Sequence, residues 1–157
     1  MHSILPLALA LLVSLGPEVP VGTTTPRPKV GNQTLLSVAS NGRDFLALWN
    51  DRDALFAGRI DAAGRPLEPG GGHKIADALN GRIIWNGNGY LLLCSPRASA
   101  PFLLALDDDG KPVGAPTKMD LAVPARSFAT NGRNLLTVQY SGQIWLNSLD
   151  GTVIGRS

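Results

Sequence analysis

Three Asn-Gly dipeptides recur at equal spacing along this 157-residue chain, and they limit its possible folds more than any other feature. They begin at Asn41, Asn86 and Asn131, so consecutive copies are 86 − 41 = 45 and 131 − 86 = 45 residues apart. The flanking text matches too, because an apolar or aromatic residue and then a leucine follow each dipeptide at the same distance: Phe45-Leu46, Tyr90-Leu91 and Leu135-Leu136. A period of this length is typical of architectures in which each repeat is one supersecondary unit.

Each copy predicts a meander of short strands. Asn-Gly between apolar runs predicts a tight hairpin in which both turn residues have positive φ. A second turn, with Asp and Gly, follows in every copy at 61–64, 107–110 and 150–151. In the first copy the predicted strands are about Thr34–Ser40, Asp44–Trp49, Leu55–Ile60 and a last one between Leu67 and Ile75. Helices are disfavoured because the apolar runs are too short for them.

The second predicted strand of each copy is apolar at consecutive positions: FLALW, YLLLC and LLTVQY. A strand with one solvated face would alternate apolar and polar residues, so both faces of each sheet are expected to be covered. A blade of a β-propeller meets this condition, because its sheet packs between the blades before and behind it. The sequence therefore predicts an all-β, β-propeller-like fold with three four-stranded antiparallel blades.

The pattern of Ala-Ser/Thr-Asn-Gly, an apolar strand and an Asp-x-x-Gly turn followed by proline resembles a repeat of large bacterial secreted and lipid-anchored proteins. Those repeats are thought to form β-propellers, and the resemblance covers residues 34–157. It implies an architecture but no single function, since related repeats serve in adhesion, binding and scaffolding. The copies do not repeat the Gly-His and Trp-Asp pairs of WD40 blades or the double glycine of kelch blades, since Gly72-His73 and the glycines before it occur in the first copy alone. Residues 148–152 resemble the Asp-box of sialidase-like enzymes, which the other two copies do not follow.

Three regions are predicted along the chain. Residues 1–16 resemble a signal peptide, because the segment from Ile4 to Leu15 is apolar but too short to span a bilayer comfortably. A buried strand or helix of the domain is the alternative for this segment. Residues 17–29 form a Pro/Thr-rich linker, and residues 30–157 hold the propeller copies, divided at about 30–78, 79–123 and 124–157. A secreted, periplasmic or cell-surface location follows, with no membrane span in the mature chain.

Charge and cysteine content remove several functional classes. The 14 Lys and Arg residues nearly balance the 12 Asp and Glu residues, and no basic cluster with interleaved aromatics is present, so a nucleic-acid partner is not predicted. The single cysteine, Cys94, can form neither an intrachain disulfide nor a Cys-based zinc site. As a nucleophile Cys94 would need a basic partner, and His73 is the only histidine after the leader, so Cys94 is expected to occupy a strand position. No cofactor and no catalytic residue is predicted.

The candidate site residues are few, and each also has a structural explanation. Asp107 and Asp109 are candidates for a cation site, although the Asp-x-x-Gly turn explains them without a metal. His73 follows three glycines whose amides could hold an anion. The remaining candidates for ligand binding are two arginines that follow Asn-Gly and two tryptophans that could stack on a sugar: Arg43, Arg133, Trp85 and Trp145.

Two functional classes remain. The favoured one is a non-catalytic extracellular or envelope module for binding or scaffolding, with a protein or carbohydrate ligand held by the loops. The alternative is a fragment of a propeller-fold enzyme acting on polysaccharide or peptide, of sialidase or glycosidase type. That enzyme would need paired carboxylates, whereas the acidic residues here are scattered over turns.

The number of copies raises the question of closure. Closed propellers usually contain about four to eight blades. Three copies are visible here, and the third stops soon after Asp150-Gly151, so its last strand is expected to be absent or cut short. The chain is expected to be a piece of a longer product, to associate with copies of itself, or to remain an open arc, the first being favoured.

Overall fold

The computed structural model of this protein describes residues 33–97, 99–120 and 125–157, and all regular structure in these ranges is β-strand. The predicted signal-peptide segment 1–16 and linker 17–29 lie outside the described residues. Part of the predicted boundary between the second and third copies, at 121–124, lies outside them as well. The described ranges contain no helix that is long and apolar enough to cross a membrane.

Within the described ranges, twelve strands form three four-stranded antiparallel sheets, each of four consecutive strands. The first sheet contains β1 (Gln33–Ser40), β2 (Phe45–Asp51), β3 (Ala54–Ile60) and β4 (His73–Ala76). The second contains β5 (Asn80–Trp85), β6 (Tyr90–Ser95), β7 (Phe102–Leu106) and β8 (Pro112–Lys118). The third contains β9 (Ala125–Thr130), β10 (Asn134–Gln139), β11 (Ile144–Ser148) and β12 (Val153–Arg156). The predicted all-β fold with three four-stranded antiparallel sheets is confirmed.

The last strand of the third sheet is present, although the sequence led us to expect it to be absent or cut short. Strand β12 has four residues, as many as β4. It pairs with β11 despite a register shift between Leu146 and Asn147. The third sheet is therefore complete in strand number.

The Asn-Gly turns fall where they were predicted, but their backbone differs from the prediction. Only the glycine of each pair has positive φ, for example 86° at Gly42, whereas the asparagine does not. The Asn41 side chain instead accepts hydrogen bonds from the backbone N–H groups of Arg43 (2.9 Å) and Asp44 (2.8 Å). Asn131 holds its turn in the same way. The asparagine side-chain oxygen thus closes the turn by accepting backbone N–H groups that a main-chain carbonyl would otherwise accept.

Corresponding strands of the three sheets pair in corresponding registers, because the pairs Phe45 with Ile60, Tyr90 with Leu106 and Leu135 with Asn147 occupy the same place. Side chains alternate between the two faces of a strand. We call the face toward the next sheet in chain order the front face, and the face toward the preceding sheet the back face. On the outer sides of the first and third sheets, the same names are given to the faces that carry the corresponding strand positions.

The core consists of two layers, one on each side of the second sheet. In the first interface, Leu46 and Leu48 on the front of the first sheet join a buried cluster with Tyr90, Leu92 and Cys94 on the back of the second. In the second interface, the front of the second sheet packs on the back of the third through a second cluster: Leu91, Leu93, Leu103, Met119, Phe128, Leu135 and Trp145. Strand β6 contributes to both layers, which confirms the prediction of two covered faces for the second sheet. For the first and third sheets the prediction is wrong within the described residues, because Phe45 and Leu136 on their outer faces are each 42% exposed.

The Asp-x-x-Gly and Asp-Gly turns lie against the preceding sheet. A Cβ atom at Gly110 would come within 2.6 Å of Leu46 Cδ1, and a Cβ at Gly151 would collide with the Lys118 carbonyl oxygen. Glycine is required at both places by this contact and by positive φ. The turn of each later sheet therefore helps to fix it on the sheet before.

Candidate ligand-binding site

The two aspartates proposed as metal ligands have other partners in the structure. One oxygen of Asp107, Oδ1, accepts the backbone N–H groups of Asp109 (3.0 Å) and Lys111 (2.8 Å). One oxygen of Asp109 lies 2.7 Å from Arg59 Nη1, and the other lies 3.7 Å from Lys111 Nζ. Among the described residues, no group of three or more His, Cys, Asp or Glu side chains is placed to hold a metal ion. Asp107 shapes its turn, and Asp109 joins the second sheet to the first.

His73 joins the same two sheets. Its Nε2 lies 3.1 Å from the carbonyl oxygen of Gly110, in the turn between β7 and β8. Arg59, which pairs with Asp109 across the same boundary, lies on the neighbouring strand β3 and donates a hydrogen bond to Glu68. The bond to Glu68 is the main reason that the pKa of the Arg59 guanidinium is raised. His73 thus has a structural contact at the sheet boundary, and its role as a ligand group stays a prediction.

Arg43 and Arg133 lie on corresponding turns. The Arg43 side chain is 67% exposed, and its Nε lies 3.1 Å from Asp44 Oδ2. The backbone N–H of Arg133 donates to the Asn131 side chain at 3.0 Å. Both arginines therefore sit in solvent-accessible turns, and ligand binding by them stays a prediction.

The two tryptophans pack against neighbouring residues. Trp85 is half-buried and meets the Tyr90 ring edge-on, with the ring centroids 4.9 Å apart. Trp145 is 7% exposed, in the interface between the second and third sheets, and the Arg156 guanidinium lies 5.5 Å from the centre of its ring. A sugar would need an open ring face, which Trp145 does not offer in this packing.

Cys94 lies on β6 with no exposed surface. Burial raises the pKa of its thiol to about 12, so the thiol is protonated at neutral pH. A protonated thiol is a poor nucleophile. The strand position predicted for Cys94 agrees with its place in the first interface.

A small cleft opens where all three sheets contribute residues, and we call it the central cleft. It has a volume of about 80 Å³. Its lining comes from β1, β5, β6 and the residue after β10: Leu36, Asn80, Gly81, Arg82, Leu93, Ser95 and Tyr140. The cleft exists because β1 and β5 are adjacent first strands of neighbouring sheets.

The polar groups of the central cleft come from paired strands. Asn80 and Ser95 are directly opposite each other in β5 and β6. Arg82 follows two residues after Asn80, and its Nη1 donates to the carbonyl oxygen of Leu36 at 2.6 Å. That bond uses one of five guanidinium N–H donors. Tyr140 is 68% exposed, the most exposed large apolar or aromatic side chain among those described.

Sequence reasoning missed the central cleft. One signal was available, since Ser95 and Tyr140 are 140 − 95 = 45 residues apart and thus occupy the same repeat position, at the end of a second strand. An aromatic residue that follows a strand end and precedes Ser-Gly in a turn also predicts exposure. The participation of Arg82 and Asn80 could not be read from their own copy, because it depends on the neighbouring sheets.

A second depression lies beside the last turn, lined by Lys118, Asp120, Asp150, Gly151 and Thr152, with a volume of about 320 Å³. It brings together two carboxylates that are thirty residues apart in the sequence. The pKa of Asp150 is lowered, chiefly because the Ser148 hydroxyl donates to its carboxylate and then because the Thr152 N–H does so too. The pKa of Asp61 is lowered as well, by the backbone N–H of Arg65. A glycosidase needs a carboxylic acid whose pKa is raised, and the shifts at Asp150 and Asp61 are in the opposite direction.

No protein-family model matches this sequence, and no curated protein is significantly similar to it.

Proposed function

We propose that this chain is a non-catalytic binding module of the cell exterior or envelope, and that its central cleft holds the polar end of a saccharide. One observation carries the proposal. Tyr140, which is 68% exposed, lines the central cleft together with three polar residues, Arg82, Asn80 and Ser95. An aromatic face beside a few convergent polar groups is the composition of a site for a small polar ligand.

The size and charge of the central cleft favour a carboxylated sugar. A volume of about 80 Å³ has room for several water molecules, or for one carboxylate or hydroxymethyl group, but not for a whole sugar ring. Arginine binds carboxylates through paired N–H donors, and such charge-assisted bonds are about twice as strong as neutral ones. The ring of the sugar would lie outside the cleft, against Tyr140.

An enzyme acting on polysaccharide or peptide is the second candidate, and the depression with Asp120 and Asp150 is the place where such activity would be sought. Its support is weaker. The pKa of Asp150 is shifted downward, whereas a general acid requires an upward shift. We expect no hydrolysis of chromogenic glycosides by the full chain, and hydrolysis that Asp150→Asn abolishes would favour the enzyme instead.

Binding can be tested by NMR titration with glucuronic acid as the probe and glucose as its uncharged counterpart. We expect glucuronic acid to bind the more tightly. Arg82→Gln should weaken glucuronic acid by about tenfold, equivalent to about 1.4 kcal/mol, and reduce its advantage over glucose. Tyr140→Ala should weaken both sugars by about fivefold, because ring stacking contributes about 1 kcal/mol.

Arg133→Gln is the matched control, because Arg133 lies in an exposed turn and is not part of the central cleft. It should leave both affinities unchanged. An equal loss for Arg133→Gln and Arg82→Gln would contradict specific binding in the cleft. Absence of binding by either sugar would contradict the proposed ligand.

The external location rests on the apolar segment from Ile4 to Leu15, which precedes the described residues. Fusing residues 1–29 to a reporter enzyme that is active only after export tests this location. We expect reporter activity, and we expect Leu9→Arg to abolish it by interrupting the apolar segment. An inactive fusion would contradict export.

A further inference from the structure

The two outermost faces of the stack carry the same kinds of residue as the faces buried inside it. Strand pairing assigns the corresponding front-face positions: Leu46, Leu48 and Ala57 in the first sheet, Leu91, Leu93 and Leu103 in the second, and Leu136, Val138 and Ile144 in the third. Leu46 and Leu91 are 0% and 5% exposed because a sheet lies against each of them, whereas Leu136 is 42% exposed. The front face of the third sheet is thus largely apolar, and none of the described residues covers it.

The back faces show the same relation. The corresponding positions are Phe45, Ala47 and Trp49 in the first sheet, Tyr90, Leu92 and Cys94 in the second, and Leu135, Thr137 and Gln139 in the third. Tyr90 and Leu135 are fully buried, whereas Phe45 is 42% exposed. Leu35 and Val38 on the adjacent strand are 65% and 49% exposed. Around Leu35, Val38 and Phe45 the back face of the first sheet is therefore also apolar, and no described residue covers it there.

We propose that a second copy of this chain covers these faces, with the front face of the third sheet of one copy packed on the back face of the first sheet of the other. The contact would continue the front-to-back stacking that both internal interfaces already use. In a pair of copies this contact occurs twice, so that two sets of three sheets close a ring of six blades, within the range of known propellers. Front-to-back contacts are heterologous, and heterologous contacts give closed rings when the rotation closes.

The back face of the first sheet differs in shape from the back faces of the other two sheets. Gly58 stands where the other sheets have Leu104 and Trp145. The backbone at Gly71 and Gly72 folds over Gly58 and touches the Trp49 ring, so that it fills the space of the missing side chain. The exposed part of this face lies on β1 and at the start of β2, where it is formed by Leu35, Val38 and Phe45. The proposed contact would use this part.

The third sheet's front face is also suited to association. Its larger exposed and half-exposed apolar side chains are Leu136, Val138, Ile144, Leu146 and Ile154, and the polar residues Ser127, Asn134 and Ser148 on the same face are uncharged. None of these carries a charge that would have to be desolvated on packing. This inference concerns the ends of the stack and is independent of ligand binding in the central cleft.

The mass of the full chain in solution, measured by light scattering over a range of concentrations, tests the proposal. We expect a concentration-dependent shift from the 16.5 kDa chain to twice that mass. Leu136→Asp and Phe45→Asp should each give a monomer, because each places a carboxylate in both contacts of the ring. Val113→Asp is the matched control, since Val113 is 54% exposed but lies on β8 of the middle sheet. It should leave the dimer unchanged.

Mixing the two monomeric variants identifies the front-to-back mode. A copy with Phe45→Asp keeps a native third sheet, and a copy with Leu136→Asp keeps a native first sheet, so one contact between them remains intact. We expect the mixture to form a 1:1 dimer at concentrations where each variant alone is monomeric.

Four outcomes would overturn the proposal: a wild-type chain that is monomeric at every concentration, one that forms open-ended larger assemblies, single variants that still dimerise, or a mixture that stays monomeric. Denaturant unfolding of each variant ensures that it is folded, and a folded but monomeric mixture contradicts the proposed mode.

Discussion

The two interfaces inside the stack share one backbone arrangement but differ in chemistry. In the first interface the side chains from both sheets are apolar except for the buried Tyr90 hydroxyl, which has no hydrogen-bond partner among the described residues. Polar contacts such as Arg59 with Asp109 lie at the edge of this interface. In the second interface, the second sheet contributes leucines, whereas the third contributes buried polar Thr137, Gln139 and Asn147 beside apolar Phe128, Leu135 and Trp145. The polar side-chain atoms of Thr137, Gln139 and Asn147 have no hydrogen-bond partner among the described residues.

The difference is confined to side chains. The positions of Thr137, Gln139 and Asn147 correspond to Leu92, Cys94 and Leu106 in the second sheet. A buried polar group without a partner costs about 1–3 kcal/mol. We infer that the second interface contributes less stability than the first, although the same stacking forms both.

Adjacent leucines of β6 give the largest expected effect and compare the interfaces directly. Leu92 belongs to the first interface and Leu93 to the second, and both are almost fully buried. Leu→Ala in a core costs about 2–5 kcal/mol. We expect Leu92→Ala to lower the free energy of unfolding by about 4 kcal/mol and Leu93→Ala by about 2 kcal/mol, measured by denaturant titration. An equal or larger loss for Leu93→Ala would contradict the ranking of the interfaces.

Trp49 extends the comparison to the outer face of the first sheet. Its ring stacks on Phe56 with centroids 6.1 Å apart, and the backbone at Gly72 lies against it. Trp49→Ala should lower the free energy of unfolding by about 3 kcal/mol, at the lower end of the range for aromatic truncations. Arg43→Ala should change it by less than about 0.5 kcal/mol, because that side chain is 67% exposed. If Arg43→Ala proved the more costly in chemical unfolding, the assignment of strand and turn would be wrong.

The polar cluster of the second interface predicts stabilising substitutions. Asn147→Leu introduces the residue type found at the corresponding Leu106 and removes two polar atoms that have no described partner. We expect it to raise the free energy of unfolding by about 2 kcal/mol. Thr137→Val removes a hydroxyl with little change in shape and should raise it by about 1 kcal/mol. Thermal unfolding measures both changes. A clear loss of stability in either variant would contradict the view that these buried polar groups destabilise the second interface.

The ion pair at the edge of the first interface gives the smallest effect. Arg59 and Asp109 are 22% and 47% exposed, so solvent screens their attraction. A double-mutant cycle with Arg59→Ala and Asp109→Ala should give a coupling energy of about 0.2–1 kcal/mol that decreases with added salt. A coupling well above this range would mean that the pair, rather than apolar packing, distinguishes the first interface.

Local elements of the fold could be predicted because they depend on nearby residues. The three Asn-Gly sites mark turns, and the apolar runs after them mark β2, β6 and β10. The predicted turn conformation, with positive φ at both residues, is wrong. The Asn41 side chain accepts backbone N–H groups and stabilises the turn, and only Gly42 has positive φ. The start of β4 was also not fixed by the sequence pattern, since the glycines before His73 pack over Gly58 instead of pairing as a strand.

The candidate site could be predicted only in part. Exposure of Arg43 and structural use of Asp107 follow from turn patterns. The central cleft did not, because Leu36, Arg82 and Tyr140 come from three sheets and meet only after the sheets stack. Trp145 was considered as an exposed platform, but its position on the back face of the third sheet places it in an interface.

What the sequence determined by itself was the strand and turn order and the alternation of side chains, because these follow from local backbone preferences and from the pleat. What only the tertiary structure decided was which apolar face is covered. Leu46, Leu91 and Leu136 occupy the same position of the pattern, yet they are 0%, 5% and 42% exposed. The physical reason is that burial requires another surface within contact distance, and a residue's own sequence neighbours do not specify that surface.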